Sequence, residues 1–367
     1  MKSVKRPPYH PPLSIIIAAY NEAKVIRATL RSVVDTDYPG KIEVLVVNDG
    51  SSDDTSDEIR KASFVDHRIR LIEQPNHGKS EALRNGLLKA QHDILVFLDA
   101  DTHFERSTLA SLVQPLADLN VGAVSGHAKV GNLRTFIARC QSLEYICGFN
   151  LDRRAYSEWN CITVAPGAIS ALRKSALEDA GGFSLDTLAE DTDLTLCLHK
   201  KGYRIDYAPE AMAWTEAPES LKTLAKQRFR WAFGTLQCLF KHKDLVFNPH
   251  FKALGWFSLP SVWFFQIILV AIAPIIDLLL ILSLLAGGAV MMWSYFLTFL
   301  AMDLILAMLA CWLDDEKIRN AWIIIPMRLI YRPLLSFVIW RAIFKATKGV
   351  WVTWGKLERT ASVAVRT

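Results

Sequence analysis

No two of the six cysteines stand as CxxC; they fall at positions 140, 147, 161, 197, 238 and 311. That spacing offers no zinc or thioredoxin-type framework, and the thiols are expected to be reduced and partly buried. Neither GxGxxG nor GxxxxGK[ST] occurs, which removes the main support for a dinucleotide or P-loop site. Internal repeats and long low-complexity tracts are also missing. The formal charge is only +5 over 367 residues, so nothing calls for a nucleic-acid partner. Met1–Pro12 is basic and Pro-rich and lacks the apolar core of a signal peptide, so the soluble half is not expected to be exported.

Apolar residues make up 51% of the chain, unevenly placed. Through about Asp244 the composition is that of an ordinary soluble protein; from Trp256 to Trp312 it is mostly apolar. Val262–Leu285 and Ala289–Trp312 are each long enough to span a bilayer, which takes ~20 residues, with Ala286-Gly287-Gly288 as the turn between them. Asp277 and Asp303 lie inside these spans, either as functional carboxylates or bonded to a neighbour such as Arg328 or Arg332. Trp322–Phe344 is apolar but holds three arginines and two prolines. It is read as interfacial, re-entrant or packed against other helices. Basic residues flank the apolar half (Lys222, Lys226, Arg228, Arg230, Lys241 and Lys243 before it; Lys345, Lys348, Lys356 and Arg359 after it). Such flanks favour a cytoplasmic face and attraction to anionic lipid, hence an inner-membrane, multi-pass protein with its soluble half in the cytoplasm.

In the soluble half, Leu13–Ala19, Ile42–Val47 and Ile94–Leu98 are short, β-branched apolar runs, each followed by a polar turn and a helix-like stretch. That alternation predicts an α/β fold with a mostly parallel sheet covered on both faces. Ligands of such sheets bind at the carboxyl ends of strands. Those ends carry Tyr20-Asn21-Glu22, Asn48-Asp49-Gly50-Ser51 and Asp99-Ala100-Asp101.

Asp99 and Asp101, alternating along an extended segment, would point to one side and could hold Mg²⁺ or Mn²⁺, or simply cap the next helix. Asp49 fits either a nucleobase contact or turn chemistry. Lys79, after Gly78 at the start of a helix over Ser80–Lys89, could meet an anion or be a solvated lysine. Glu190-Asp191-Thr192-Asp193 opens a helix over Leu194–Lys200; the acids suit its dipole, and one of them could serve as a general base. Gln227-Arg228-Phe229-Arg230-Trp231 lies on a basic amphipathic segment, Leu221–Lys241, and is either an interfacial anchor or a site for phosphate and sugar.

Taken in order, AAYNE (Ala18–Glu22), NDGSSDDT (Asn48–Thr55), GKSEAL (Gly78–Leu83), DAD (Asp99–Asp101), PGAISALR (Pro166–Arg173), EDTD (Glu190–Asp193) and QRFRW resemble the processive family 2 glycosyltransferases. These are the synthases of hyaluronan, chitin, cellulose and poly-N-acetylglucosamine. The likeness runs from about Leu13 to Trp231, and more loosely through the apolar half. It is strongest to poly-β-1,6-N-acetylglucosamine synthases and the chitooligosaccharide synthases of nodulating bacteria.

The resemblance implies a GT-A domain over 13–217 after a lead of 1–12, interface helices over 218–255, a membrane region over 256–345 and a basic tail over 346–367. It implies a UDP-sugar donor, most of all UDP-N-acetylglucosamine, a growing polysaccharide acceptor and a divalent metal. Tyr20, Glu22, Asp49 and Lys79 would line the uridine pocket, Asp99 would contact the nucleotide and Asp101 would hold the metal. Asp191 would be the base, Gln227 and Arg230 would hold the diphosphate, and Trp231 would stack on the acceptor. Gly167 and Arg173 would shape the acceptor and donor site. Trp354, Lys356 and Arg359 resemble the gating segment of hyaluronan synthases, or form a plain basic tail. Synthases of this kind usually carry membrane helices before the catalytic domain, so the expectation is either that the sequence is a fragment or that a partner subunit supplies them. A dolichyl-phosphate sugar synthase is disfavoured by QRFRW, and a silent scaffold or export subunit by the retained acids.

Overall fold

The computed structural model describes residues 8–285, 289–348, 361 and 363. Two compact units emerge. One is made by the described residues of Met1–Gly131, Ser157–Glu216 and Arg359–Thr367, the other by those of Asn132–Tyr156 and Ala217–Glu358.

The first unit is built on one sheet of eight strands: β1 (Leu13–Ala19), β2 (Ile42–Asp49), β3 (Ile69–Gln74), β4 (Ile94–Asp99), β5 (His103–Phe104), β6 (Val121–Val130), β7 (Ile169–Arg173) and β8 (Arg204–Thr215). Their order is β3-β2-β1-β4-β7-β6-β8-β5. The three apolar runs are β1, β2 and β4, the central and neighbouring parallel strands. Successive residues of β1 are nearly all buried, so both faces of the strand are covered. Ile15, Ile16, Ile17, Leu45 and Leu95 are fully buried, and each such side chain contributes roughly 1.5–3 kcal/mol of hydrophobic stabilisation. Helices α1 (Ile26–Val34), α2 (Thr55–Val65) and α3 (Lys79–Lys89) follow the first three strands. The sheet is mixed beyond β4, because β7 runs antiparallel to both β4 and β6.

The parallel register sets the functional edge. Ala18 of β1 lies beside Asp99 of β4, and Ala19 lies beside Asn48 of β2. The three polar turns therefore leave the sheet at one end. Gly50 allows the turn after β2: its φ is +67°, and a Cβ would sit 2.6 Å from the backbone nitrogen of Asn76. Gly50→Ala should destabilise the first unit by about 1–3 kcal/mol, read as a lower midpoint of thermal unfolding in detergent.

The second unit contains a segment that a linear division assigns to the catalytic domain. The helix Phe136–Glu144 supplies Cys140 and Leu143 to a core shared with Leu224, Ala307, Cys311, Ile323 and Tyr331. Asn132 ties the segment down, donating to the Ala217 carbonyl and accepting from the Ala217 N–H, at 2.7 and 2.8 Å. The helix Leu221–Lys241 starts at a capping box, in which Ser220 and Thr223 satisfy each other's backbone N–H groups.

Among the described residues, two helices are long and apolar enough to cross a membrane: Leu254–Ser283, mean hydropathy 2.7, and Trp293–Leu313, mean hydropathy 2.2. The first starts eight residues before Val262, where apolarity alone placed it. Gly255, Ser258, Pro260 and Ser261 dilute the hydropathy there, but π-turns at Leu254–Ser258 and Val262–Ile268 carry the helix through. The Ala286–Gly288 turn falls outside the described residues.

The third apolar segment forms a helix, Ile324–Thr347, bent by 57° between Arg328 and Tyr331. It is packed against other helices. Ser336 donates to the Val270 carbonyl and Trp340 Nε1 to the Ala271 carbonyl. Arg328 pairs with Asp303, Nε lying 2.9 Å from the carboxylate, so this acid within a candidate span is neutralised by its neighbour. Asp277 has no such partner among the described residues.

Candidate active site

The site grows from the turns at the carboxyl ends of β1, β2 and β4. The first two turns are laced together. The Asn21 N–H donates to Ser51 Oγ (2.8 Å), the Glu22 N–H to Thr55 Oγ1 (2.7 Å) and the Ser52 N–H to Asn21 Oδ1 (2.7 Å). Asn21 takes φ of 55°, a left-handed conformation that asparagine tolerates. Tyr20 and Glu22 are thereby held, half-buried, beside the β2 turn.

Asp49 is buried, 2% exposed. Its Oδ1 accepts from Gln74 Nε2 (2.7 Å) and the His77 N–H (2.9 Å), and its Oδ2 accepts from the Gly78 N–H (2.8 Å). It thus clamps the loop that delivers Lys79 to the start of α3. Lys79 Nζ lies 2.9 Å from Asp99 Oδ1 and 2.9 Å from Glu190 Oε1. Burial alone would lower its pKa, but the carboxylates of Asp99, Glu190 and Asp191 outweigh that and hold the ammonium above the usual lysine range.

Glu190 and Asp191 do not precede their helix; they form its first turn, since the helix runs Glu190–Lys200. Asp191 Oδ1 accepts from the Thr192 N–H (2.8 Å) and Oδ2 from the Gly167 N–H (3.3 Å). Gly167 also faces Lys79: a Cβ there would stand 2.8 Å from Nζ. Leu83, Phe97, Phe183 and Leu194 wall this side of the cluster. Burial raises the Asp191 pKa, and the adjacent Glu190 raises it further; Lys79 and the two backbone N–H groups oppose the shift without cancelling it.

Asp99 and Asp101 do not alternate along a strand. β4 ends at Asp99, and the Thr102 N–H closes a turn onto the Asp99 carbonyl at 3.1 Å. Thr29 Oγ1 anchors the same turn through the Ala100 carbonyl. Asp101 is buried in it. Asp99 and Asp101 bring carboxylate oxygens to this turn, the donor type that fits a hard divalent cation such as Mg²⁺ or Mn²⁺.

One expected site residue, Arg173, stands apart from the acid cluster. Arg173 pairs across from Ile94, at the start of β4, whereas Asp99 ends that strand. Five residues at ~3.3 Å each put it roughly 16 Å along the sheet from the acids, and its Nη2 donates to the Leu116 carbonyl at 2.7 Å. Antiparallel β7 begins near the site and carries its last residue away from the acids. Trp354, Lys356 and Arg359 lie outside the described residues.

In the second unit, Gln227, Arg230 and Trp231 share the helix Leu221–Lys241. Gln227 is buried, and its Oε1 has no hydrogen-bond partner among the described residues. Arg230 and Trp231 are half-buried. The Trp231 ring lies 4.3 Å from the Arg228 guanidinium and 5.9 Å from the Phe149 ring.

Sequence reasoning singled out neither Glu190, as the second partner of Lys79, nor Arg228 with Glu144 and Tyr331. Glu190 was legible as the first letter of EDTD; the partners of Arg228 lie 84 and 103 residues from it in sequence.

An eight-stranded mixed sheet with acids at its parallel edge is the GT-A glycosyltransferase arrangement. The chain belongs to glycosyltransferase family 2: the model "Glycosyltransferase like family 2" matches residues 10–234. It is 31% identical over 369 residues to the probable glycosyltransferase YdaM of Bacillus subtilis, covering 95% of this chain and 87% of that one. It is 34% identical over 230 residues to a poly-β-1,6-N-acetyl-D-glucosamine synthase of Staphylococcus aureus, covering 62% of this chain and 56% of that synthase. A mannosyltransferase from Pyrobaculum calidifontis, solved with GDP-Man and Mn²⁺, has the same fold, with TM-score 0.68 at 24% identity over 94% of this chain and 91% of that one.

Proposed function

We propose that this protein is a membrane-embedded, inverting, processive glycosyltransferase that builds a β-linked polysaccharide from a UDP-sugar, UDP-N-acetylglucosamine first among donors. The observation that carries this reading is the cluster Lys79–Asp99–Glu190 with Asp191 beside it. Similarity to the staphylococcal synthase supports the choice of sugar, and the candidate spans support the membrane location.

Within the cluster, Asp99 and Glu190 engage the Lys79 ammonium, whereas both Asp191 oxygens receive backbone N–H groups. Asp191 is therefore the carboxylate to take the proton from an acceptor hydroxyl. The acceptor oxygen attacks the anomeric carbon from the face opposite the leaving UDP. A single displacement inverts configuration, so an α-linked donor gives a β-linked product.

Tyr20 and Glu22 line the uridine pocket together with the loop that Asp49 clamps, and Lys79 and Asp99 face the nucleotide. Asp101 would hold a divalent metal, which would supply positive charge to offset that of the departing diphosphate. Gln227 and Arg230 bind the diphosphate through charge-assisted hydrogen bonds. Trp231 stacks under the acceptor sugar, and Gly167 leaves room beside Lys79. Export of the growing chain is coupled to its synthesis, with or without a partner subunit.

The test is incorporation of radiolabel into polymer by membranes holding the full chain, supplied with UDP-GlcNAc, UDP-GlcA, UDP-glucose or GDP-mannose, with and without Mg²⁺ or Mn²⁺. Polymer from UDP-GlcNAc is expected. Polymer from UDP-GlcA or UDP-glucose instead moves the reading to a hyaluronan-, chitin- or cellulose-type synthase. Transfer from GDP-mannose alone, or from no donor, refutes it.

A further inference from the structure

The second unit contains a buried polar network that the transfer reaction does not use directly. Arg228 is 5% exposed and Tyr331 3% exposed. Arg228 Nη2 donates to Glu144 Oε2 (2.6 Å) and to Tyr331 Oη (2.9 Å), and the Tyr331 hydroxyl donates to the same Glu144 oxygen. The three residues come from three separate helical segments. Tyr331 opens the second arm of the bent helix, and Glu144 ends the helix that begins at Phe136. Burial works against the Arg228 charge, but Glu144 offsets it and the guanidinium stays protonated.

The guanidinium also covers a face of Trp231 at 4.3 Å, well inside the range of a cation–π contact. The ring of Phe149, itself 4.8 Å from Tyr145, lies 5.9 Å from the Trp231 ring. A tryptophan on a helix ordinarily chooses among staggered rotamers. Here an immobilised cation and a neighbouring ring restrict that choice. A cation that served helix packing alone would need only its partners Glu144 and Tyr331. This one is fixed from two other segments and lies on the indole one turn further along the helix.

We propose that Arg228, held by Glu144 and Tyr331, is a positioning residue that fixes the indole of Trp231 as a platform for the acceptor sugar. This rests on the role given to Trp231 above. The network also links that platform to the bend of the Ile324–Thr347 helix.

The test is a double-mutant cycle in the detergent-solubilised full chain, since coupled residues give non-additive losses. Arg228→Met is expected to lower kcat at least tenfold at saturating donor and to raise KM for an acceptor oligosaccharide, while Kd for UDP changes less than threefold. In a Trp231→Ala background the same change should cost less than a further threefold. Arg228→Lys, which keeps a cation over the ring without the fork, should fall between wild type and Arg228→Met. If Arg228→Met does not fold, Tyr331→Phe, which leaves the Arg228–Glu144 pair, should lower kcat about threefold in wild type and not in Trp231→Ala. Equal losses in both backgrounds, or a UDP Kd that weakens in step with kcat, would overturn the role. An active wild type with a fully active Arg228→Met would refute this inference alone. A wild type that transfers no sugar would refute the proposed function along with it.

Discussion

Asp191→Asn is expected to reduce sugar transfer by at least a thousandfold while UDP binds within a fewfold of wild type. General-base assistance alone typically contributes 10²–10⁴-fold, and asparagine keeps the shape but cannot accept the proton. The amide can still receive one of the two backbone N–H groups that hold Asp191, from Thr192 and Gly167, so the fold should survive. Titration calorimetry with UDP separates the two effects. The pH profile gives a second view of the same residue. Burial and Glu190 raise the Asp191 pKa, and the base exists only above that pKa. The acid limb of kcat should therefore lie above the ordinary carboxylate range, with activity falling as pH drops through it. Lys79→Gln removes the cation that opposes the shift, so its acid limb should move to still higher pH. A limb that stays in place would detach Lys79 from the base.

The second large effect concerns the turn after β4. Asp101→Ala is expected to reduce turnover by about a hundredfold or more, and chelation of divalent cations should do the same to the wild type. Restoring Mn²⁺ or Mg²⁺ should recover the wild type and not the variant. Asp101 is buried in a turn anchored by Thr29 and Thr102, so its carboxylate is held with little freedom to lose. Calorimetry with the metal and UDP together provides a readout that does not depend on turnover. Full activity in chelator would remove the metal from the account.

Much of the site was legible because local pattern and tertiary position agree. β1, β2 and β4 are β-branched apolar runs, and in a parallel sheet their polar ends must meet at one edge. The helix over Leu221–Lys241 was equally clear, because its periodicity runs unbroken from the Ser220 cap. Local pattern failed where long-range pairing decides. Arg173 ends a motif that begins at the site, but β7 is antiparallel, and strand direction is not written in five residues. The segment 132–156 reads as part of the α/β half; Cys140 and Leu143 find their core with Leu224, Ala307 and Tyr331 instead. The DxD spacing suggested strand alternation, while a hydrogen bond from Thr102 to the Asp99 carbonyl makes the segment a turn.

The candidate spans show the same division. Apolarity located the two long helices and missed the first turns of one, where serine, glycine and proline sit in a continuous helix. The arginines of the third segment look foreign to a bilayer until their partners are known. Arg328 meets Asp303, and the Arg341 guanidinium lies 5.2 Å from the Phe229 ring.

The central claim is a single displacement with Asp191 as the only base. The most direct measurement is the anomeric configuration of the newly formed linkage, read by NMR on product made from UDP-α-N-acetylglucosamine by the full chain in membranes. The account predicts a β linkage from the first transfer onward. An α linkage would contradict it, because retention requires a second nucleophile or a front-face path that a lone base does not provide.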